Sequence, residues 1–397
     1  MAGLLLLIVA IVVGAMFSRT PALDGHWGTK DFIEYWAANQ VADSLGNPYD
    51  PAQIHAVELA SGRTDSVPLM MWNPPWLLVL MRPVLQRPLE RAAAMWMGVN
   101  IVMATAACLL IASGYRRARL EAIDLIPAAM AGVLSVPTAL TIQLGQVSLV
   151  LLLGMALLYW SMRWRHDLLA GVALALLSIK PHLFLLVLVL VAIEVVRARR
   201  WRIVTGAVTA MMSLLMVTML HWFSALPWWI QGVSTPLAGA PPAITWRTPN
   251  LPNLLRDLLT PAGGPSPTWP LTAIPFAAAV LCALWVWRRP RDQSLDALLP
   301  MVLCVSVIAA PFGWTFDHVV LLVPQIIIFL RAFAEVESAA RRWALVVAIL
   351  LCQLGLVLIL TAPDADYSRT WWFPPAILAT WWLSSIWSRA SGRILSS

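Results

Sequence analysis

Residues 168–196, LLAGVALALLSIKPHLFLLVLVLVAIEVV, form an apolar run of 29 residues broken in the middle by Lys180 and Pro181. Arg163 and Arg165 precede the run, and Arg197, Arg199, Arg200 and Arg202 follow it. Short loops rich in arginine stay on the cytoplasmic side of a membrane, so both flanks belong on one side. The segment must then go in and return. Arms of about 12 and 14 residues rise about 18 to 21 Å each, which leaves the Lys180 turn in the outer half of the membrane. The competing reading is one kinked helix of 29 residues, with Arg163 and Arg165 outside; the hairpin is preferred. A buried ammonium at that depth needs an anion, and an intramembrane lysine that cannot snorkel to a surface marks a functional site.

Working outward, the rest of the chain has the same character. Its 397 residues are 60% hydrophobic and 12% charged, whereas a soluble domain is about 25% charged. An all-α, polytopic transmembrane helix bundle is expected, a single domain of about 11 to 13 membrane segments with large external loops. The later spans fall near 89–113, 121–140, 144–162, 202–221, 271–288, 294–313, 316–332, 341–361 and 371–388. Ala2–Phe17 lacks a basic leading region and is read as a retained span. Residues 74–87 are a short half-span. The net charge of +7 does not point to nucleic acid, because the arginines sit in short clusters between apolar runs. The long stretches 18–71, 222–270 and 362–370 carry few cations, so they are assigned to the outside and both termini to the cytoplasm. Cys108, Cys282, Cys304 and Cys352 all lie in apolar segments, which implies neither a disulfide framework nor a metal site.

Several polar residues remain. Asp31 opens a helix whose Phe32, Tyr35, Trp36 and Leu45 would lie on the membrane while its start faces a cavity. Its carboxylate is either a catalytic base or, with Glu34 three residues on, half of a capping box. Asp24 and the NPYDP turn at 47–51 read as loop chemistry. Trp72 and Trp76, around a double proline, suit a membrane interface. Gln143 and Gln146, at a turn between spans, either hydrogen-bond a hydroxyl-rich ligand or cap backbone. Asp317 and His318 start a span, and only one of them is expected to face the cavity, since helix neighbours point about 100° apart. Arg247, Asn250, Asn253 and Arg256 belong to a proline-rich lid over the outer surface and are candidates for phosphate or sugar. The acidic pair Asp364 and Asp366 has no nucleotide-binding domain around it, and no phosphate loop or zinc motif occurs.

Taken in order, DFIEYWAANQVADSLGNPYDP (31–51), WNPPWLLVLMRP (72–83), GQVSLVLLL (145–153), KPHLFLLVLVLV (180–191) and FDHVVLLVP (316–324) resemble the integral-membrane glycosyltransferase family 87. That family belongs to the GT-C superfamily and includes polyprenol-phosphate-mannose-dependent alpha-1,2-mannosyltransferases. The resemblance covers roughly residues 1 to 330. It implies a GT-C-like fold, Asp31 as catalytic base and a polyprenyl-phosphate sugar donor, with Lys180 and His318 near the donor phosphate; the chemistry of a departing phosphate independently suits Lys180 helped by Arg247 or His318. Gln143, Gln146 and Asn250 are then the candidates for substrate binding. A lipid or glycan would be the acceptor, at the outer face of the cytoplasmic membrane, with no cofactor and no metal. The chain departs from the family in carrying Trp36 and Trp72 where tyrosine is common, which bears on donor sugar and acceptor. A transporter or flippase of lipid-linked sugars is the other reading, although the paired repeats of such proteins are not found in this sequence.

Overall fold

The computed structural model describes residues 30–115, 130, 132–234, 246–290, 295–362 and 365–394. The expected span Ala2–Phe17, the Arg116–Arg119 cluster, Asp24 and Asp364 lie outside them. Among the described residues the chain is helical throughout and has no strand. In order the helices are α1 (Phe32–Asp43), α2 (Pro51–Ala60), α3 (Trp76–Leu85), α4 (Leu89–Gly114), α5 (Val136–Leu144), α6 (Ser148–Trp164), α7 (Asp167–Leu177) and α8 (Leu185–Ala198). They continue with α9 (Arg202–His221), α10 (Ala225–Ser234), α11 (Leu251–Leu259), α12 (Pro270–Trp287), α13 (Leu299–Ala309), α14 (Leu322–Glu335), α15 (Ala339–Leu360) and α16 (Phe373–Ile394). Six helical stretches among these residues are long and apolar enough to cross a membrane, and α3, α6, α7 and 295–309 are shorter apolar helices. The outward faces of α9, α12 and α15 carry exposed Met212, Met216, Phe276, Leu281, Leu351 and Leu358. A bundle with apolar residues outside is built to stand in lipid.

The Lys180 segment goes in and returns. Arg200 donates to Asp167 Oδ1 through Nε at 3.0 Å and Nη2 at 2.6 Å, whereas a continuous helix between those residues would separate them by about 50 Å. Proline disfavours helical geometry in the residue before it, and Lys180 has φ −137 and ψ 68. The two arms then part. α7 packs on α6 and α9, and α8 packs on α12 and α13. The α7–α9 contact depends on glycine: a Cβ on Gly171 would lie 2.2 Å from the Ile203 carbonyl oxygen, and one on Gly206 would lie 2.3 Å from that of Leu168. Any larger residue would push these backbones apart.

The arginine clusters of the loops meet at the end of the bundle where Asp167 and Arg200 pair. Arg163 reaches Asp296 at 3.5 Å, and Arg197 donates to the carbonyls of Val286 and Arg289 at 2.9 Å each. Tyr115 hydrogen-bonds Glu335, next to Arg331 and to Arg342, which donates to the Val336 carbonyl.

Two expectations need correction at the other end. Phe32 and Tyr35 do not lie on the membrane; both are buried in the core, with Phe32 stacked on Trp96 at 6.4 Å. They turn inward because the far end of α1 is tied down, by Asp43 to Arg82 at 2.5 Å and to Trp222 Nε1 at 3.1 Å. Trp76 is likewise interior, donating to Ser178 Oγ at 3.1 Å, so its indole N–H is satisfied without reaching a membrane surface.

Candidate active site

A cavity of about 440 Å³ opens at the end of the bundle remote from the arginine clusters. The start of α1 supplies Lys30, Asp31 and Glu34, the segment after α2 supplies Arg63 and Trp72, and the α5–α6 turn supplies Leu144 and Gln146. Trp246, Trp314, Phe316 and Tyr367 complete an aromatic wall. Trp246 is its hub, 5.8 Å from Trp72, 5.7 Å from Phe312 and 6.1 Å from Trp314 between ring centroids. A concave site with apolar rings and a few convergent polar groups is the usual form of a small-ligand pocket.

Asp31 is held by long-range bonds. Helix α5 ends at Gly145, whose φ of 74 is the left-handed conformation of a helix stop. The freed Leu144 carbonyl accepts from the Asp31 backbone N–H at 2.9 Å. The capping box that the Asp31–Glu34 spacing allows is not formed: Asp31 makes no side-chain cap. Its Oδ2 instead accepts from Gln146 Nε2 at 3.0 Å, while Gln146 Oε1 accepts from the Tyr35 hydroxyl at 2.8 Å. Gln146 is therefore a clamp on the carboxylate as well as a lining residue.

Electrostatics separate the two carboxyls. Burial raises the Asp31 pKa, opposed by the Gln146 hydrogen bond and by the charges of Lys30, Lys180 and Arg63. Burial, then the negative charge of Asp31, pushes Glu34 up to about 8. Desolvation and like charge both favour the neutral acid. Both carboxyls are thus held above the ordinary range by burial, and Glu34 further by the negative charge of Asp31 beside it.

Lys180 finds its anion in Asp317, with Nζ 2.8 Å from Oδ1, and lies 5.0 Å from the centroid of Phe316. Asp317 also accepts from Ser148 Oγ at 2.6 Å and, through Oδ2, from the Trp314 backbone N–H at 3.0 Å. The pair therefore stands behind the aromatic wall. His318 points elsewhere, stacked on Phe373 at 5.6 Å. Arg247 is 63% exposed and bound to Asp257 at 3.0 Å, next to the cavity but not lining it. Asn250 is buried and caps α11, accepting from the Asn253 N–H at 3.3 Å; Asn253 and Arg256 brace the same lid, donating to the carbonyls of Pro311 at 2.7 Å and Trp246 at 2.8 Å. Gln143 is buried in α5 and does not line the cavity. The structure thus gathers Asp31 and Gln146, places Lys180 just behind them, and gives Asn250 a structural task.

The sequence profile of glycosyltransferase family 87 matches residues 72–312, more than half of the chain. The chain belongs to glycosyltransferase family 87. No curated protein and no solved structure matches it. Within this glycosyltransferase, Gln146 and Lys180 lie inside the matched stretch, while Asp31, Asp317 and Tyr367 reach the same region from outside it. Sequence reasoning had not placed Arg63, Trp246 or Tyr367 at the site. Glu34 alone carried a local signal, since residues three apart on a helix share a face.

Proposed function

We propose that this membrane glycosyltransferase moves a hexose of the mannose type from a polyprenyl-phosphate donor to a hydroxyl of a lipid or glycan acceptor, at the outer face of the cytoplasmic membrane. The observation that carries the reading is the Asp31 carboxylate: clamped by Gln146 on one oxygen, facing a cavity walled by aromatic rings, and within the field of Lys30, Arg63 and Lys180. Asp31 takes the proton of the acceptor hydroxyl as its oxygen attacks the anomeric carbon. The new C–O bond forms while the bond to the phosphate oxygen breaks, and the polyprenyl phosphate leaves with the electron pair. One displacement inverts the anomeric centre. A positioned base is worth about 10² to 10⁴ in rate, and its raised pKa makes it a stronger base than a solvated aspartate. The cations stabilise charge growing on the departing phosphate. The tryptophans offer flat apolar faces to the C–H side of a sugar ring, leaving its hydroxyls for Glu34 and Gln146.

The arginine clusters at the opposite end support an outward-facing cavity. A lipid-linked donor suits that position, because nucleotide sugars are cytoplasmic. The test is incubation of purified protein with labelled polyprenyl-phosphate mannose and a membrane lipid extract. Transfer of label is expected; translocation without transfer, or neither, contradicts the reading.

A further inference from the structure

A second cavity, of about 320 Å³, lies at the arginine-rich end of the bundle. It is formed where the α6–α7 turn meets the start of α9, and Arg165, His166, Asp167, Leu168, Leu169 and Arg202 line it. Between Asp167 and Leu177 the helix α7 rises about 15 Å, so this cavity stands well apart from the one around Asp31.

Its charges are unbalanced. Asp167, the one carboxylate lining it, is committed to Arg200 through two hydrogen bonds. The guanidinium groups of Arg165 and Arg202 form no ion pair or hydrogen bond with any described residue, and both residues are exposed. Around them, among the described residues, Arg163 pairs with Asp296 and Arg200 with Asp167 and Glu194, while Arg197 and Arg199 have no ion-pair partner. His166 is fixed by stacking on Trp160, with centroids 4.8 Å apart and planes 10° apart, which holds one wall rigid. The rim is apolar: Trp164 is 46% exposed and Trp201 56%, with Leu168 and Leu169 exposed beside them. Exposed tryptophans at the end of a membrane bundle sit at headgroup level. Two uncompensated guanidinium groups in a concavity at that level, with leucines and tryptophans leading into the hydrocarbon, match a molecule with a phosphate at one end and acyl chains at the other.

We propose that this cavity binds the phosphate of an anionic phospholipid headgroup, the guanidinium groups of Arg165 and Arg202 holding the phosphate oxygens and the Trp164–Leu169 rim receiving the acyl chains. Guanidinium forks suit phosphate oxygens, and each cation near a membrane surface strengthens attraction to anionic lipid several-fold.

The experiment is native mass spectrometry of the full-length protein released from nanodiscs of phosphatidylcholine alone or of phosphatidylcholine with phosphatidylglycerol at three to one. Wild type should retain phosphatidylglycerol in preference to phosphatidylcholine. R165Q/R202Q should lower that retention by about 30-fold, the product of two cations, while R165K/R202K keeps most of it. R199Q removes an arginine from the same end but outside the cavity and should have a much smaller effect. Glycosyl transfer in phosphatidylcholine should not change in any of these variants. Equal retention by wild type and R165Q/R202Q, or an equal loss in R199Q, would overturn the site in favour of diffuse attraction to a basic surface. Inorganic phosphate displacing the lipid at comparable concentration would overturn the lipid assignment, because the apolar rim would then contribute nothing.

Discussion

Replacing Lys180 by Met removes the cation but leaves its partner in place. The lysine side chain is 13% exposed and that of Asp317 is 1% exposed, so the carboxylate is stranded away from water. Removing one member of a buried ion pair costs about 3 to 5 kcal/mol, chiefly through the charge left behind. Asp317 keeps the Ser148 hydroxyl and the Trp314 N–H, which places Lys180→Met near the lower end, about 3 kcal/mol. Lys180→Met/Asp317→Asn neutralises both sides and should return to within about 1 kcal/mol of wild type, since no unpaired charge remains. Unfolding of the solubilised protein in graded denaturing detergent, followed by tryptophan fluorescence, measures both variants. A single variant as stable as wild type, or a double variant no better than the single, refutes the ion-pair reasoning. Transfer by the folded double variant then isolates the second role: turnover falls if the ammonium also acts on the donor phosphate, and normal turnover leaves Lys180 structural.

Gln146→Leu deletes the hydrogen bond that favours the ionised Asp31, so the pKa of the carboxyl rises and the acid limb of kcat/KM should move to higher pH; an unmoved limb rejects the clamp. Glu34 keeps its proton in the folded state up to about 8, while the unfolded chain releases it near the ordinary value of 4.5. Wild type should therefore lose stability as pH rises from about 5 to 8, at up to about 1.4 kcal/mol per unit. Glu34→Gln should flatten that slope in thermal unfolding, and an unchanged slope would contradict the assignment. Asn250→Ala should cost about 1 kcal/mol through loss of the α11 cap, with the donor KM nearly unchanged; a selective rise in donor KM would restore Asn250 to substrate binding.

The legible parts of this chain were those with local causes. The return at Lys180 could be read because Pro181 breaks a helix and the arginines on both sides of 168–196 share one face. Asp317 as the partner of Lys180 could not, since 137 residues separate them and only packing of the Thr315–Leu321 turn against the hairpin brings them together. Asp31 and Glu34 spell a capping box, and sequence alone does not say that Gln146, 115 residues away, takes the carboxylate instead. Trp72 and Trp76 have the chemistry of a membrane interface and of a cavity wall alike, and the choice depends on Trp246 and Ser178. Arg63 sat unnoticed in a polar loop because its ties to Glu58 at 2.6 Å and Asp65 at 2.9 Å are what bring it to the cavity edge.

The claim on which the account rests is that Asp31 removes the acceptor proton. Asp31→Asn keeps the size of the side chain and an oxygen for Gln146 Nε2. It disturbs no helix cap, because the native carboxylate makes none. The direct measurement is sugar transfer from polyprenyl-phosphate mannose by folded, membrane-inserted Asp31→Asn protein beside wild type, with Glu34→Gln as a control that leaves Asp31 in place. Asp31→Asn should transfer about two to four orders of magnitude more slowly, with Glu34→Gln much less affected. Transfer by Asp31→Asn at the wild-type rate would contradict the account and move the base to another residue of the cavity.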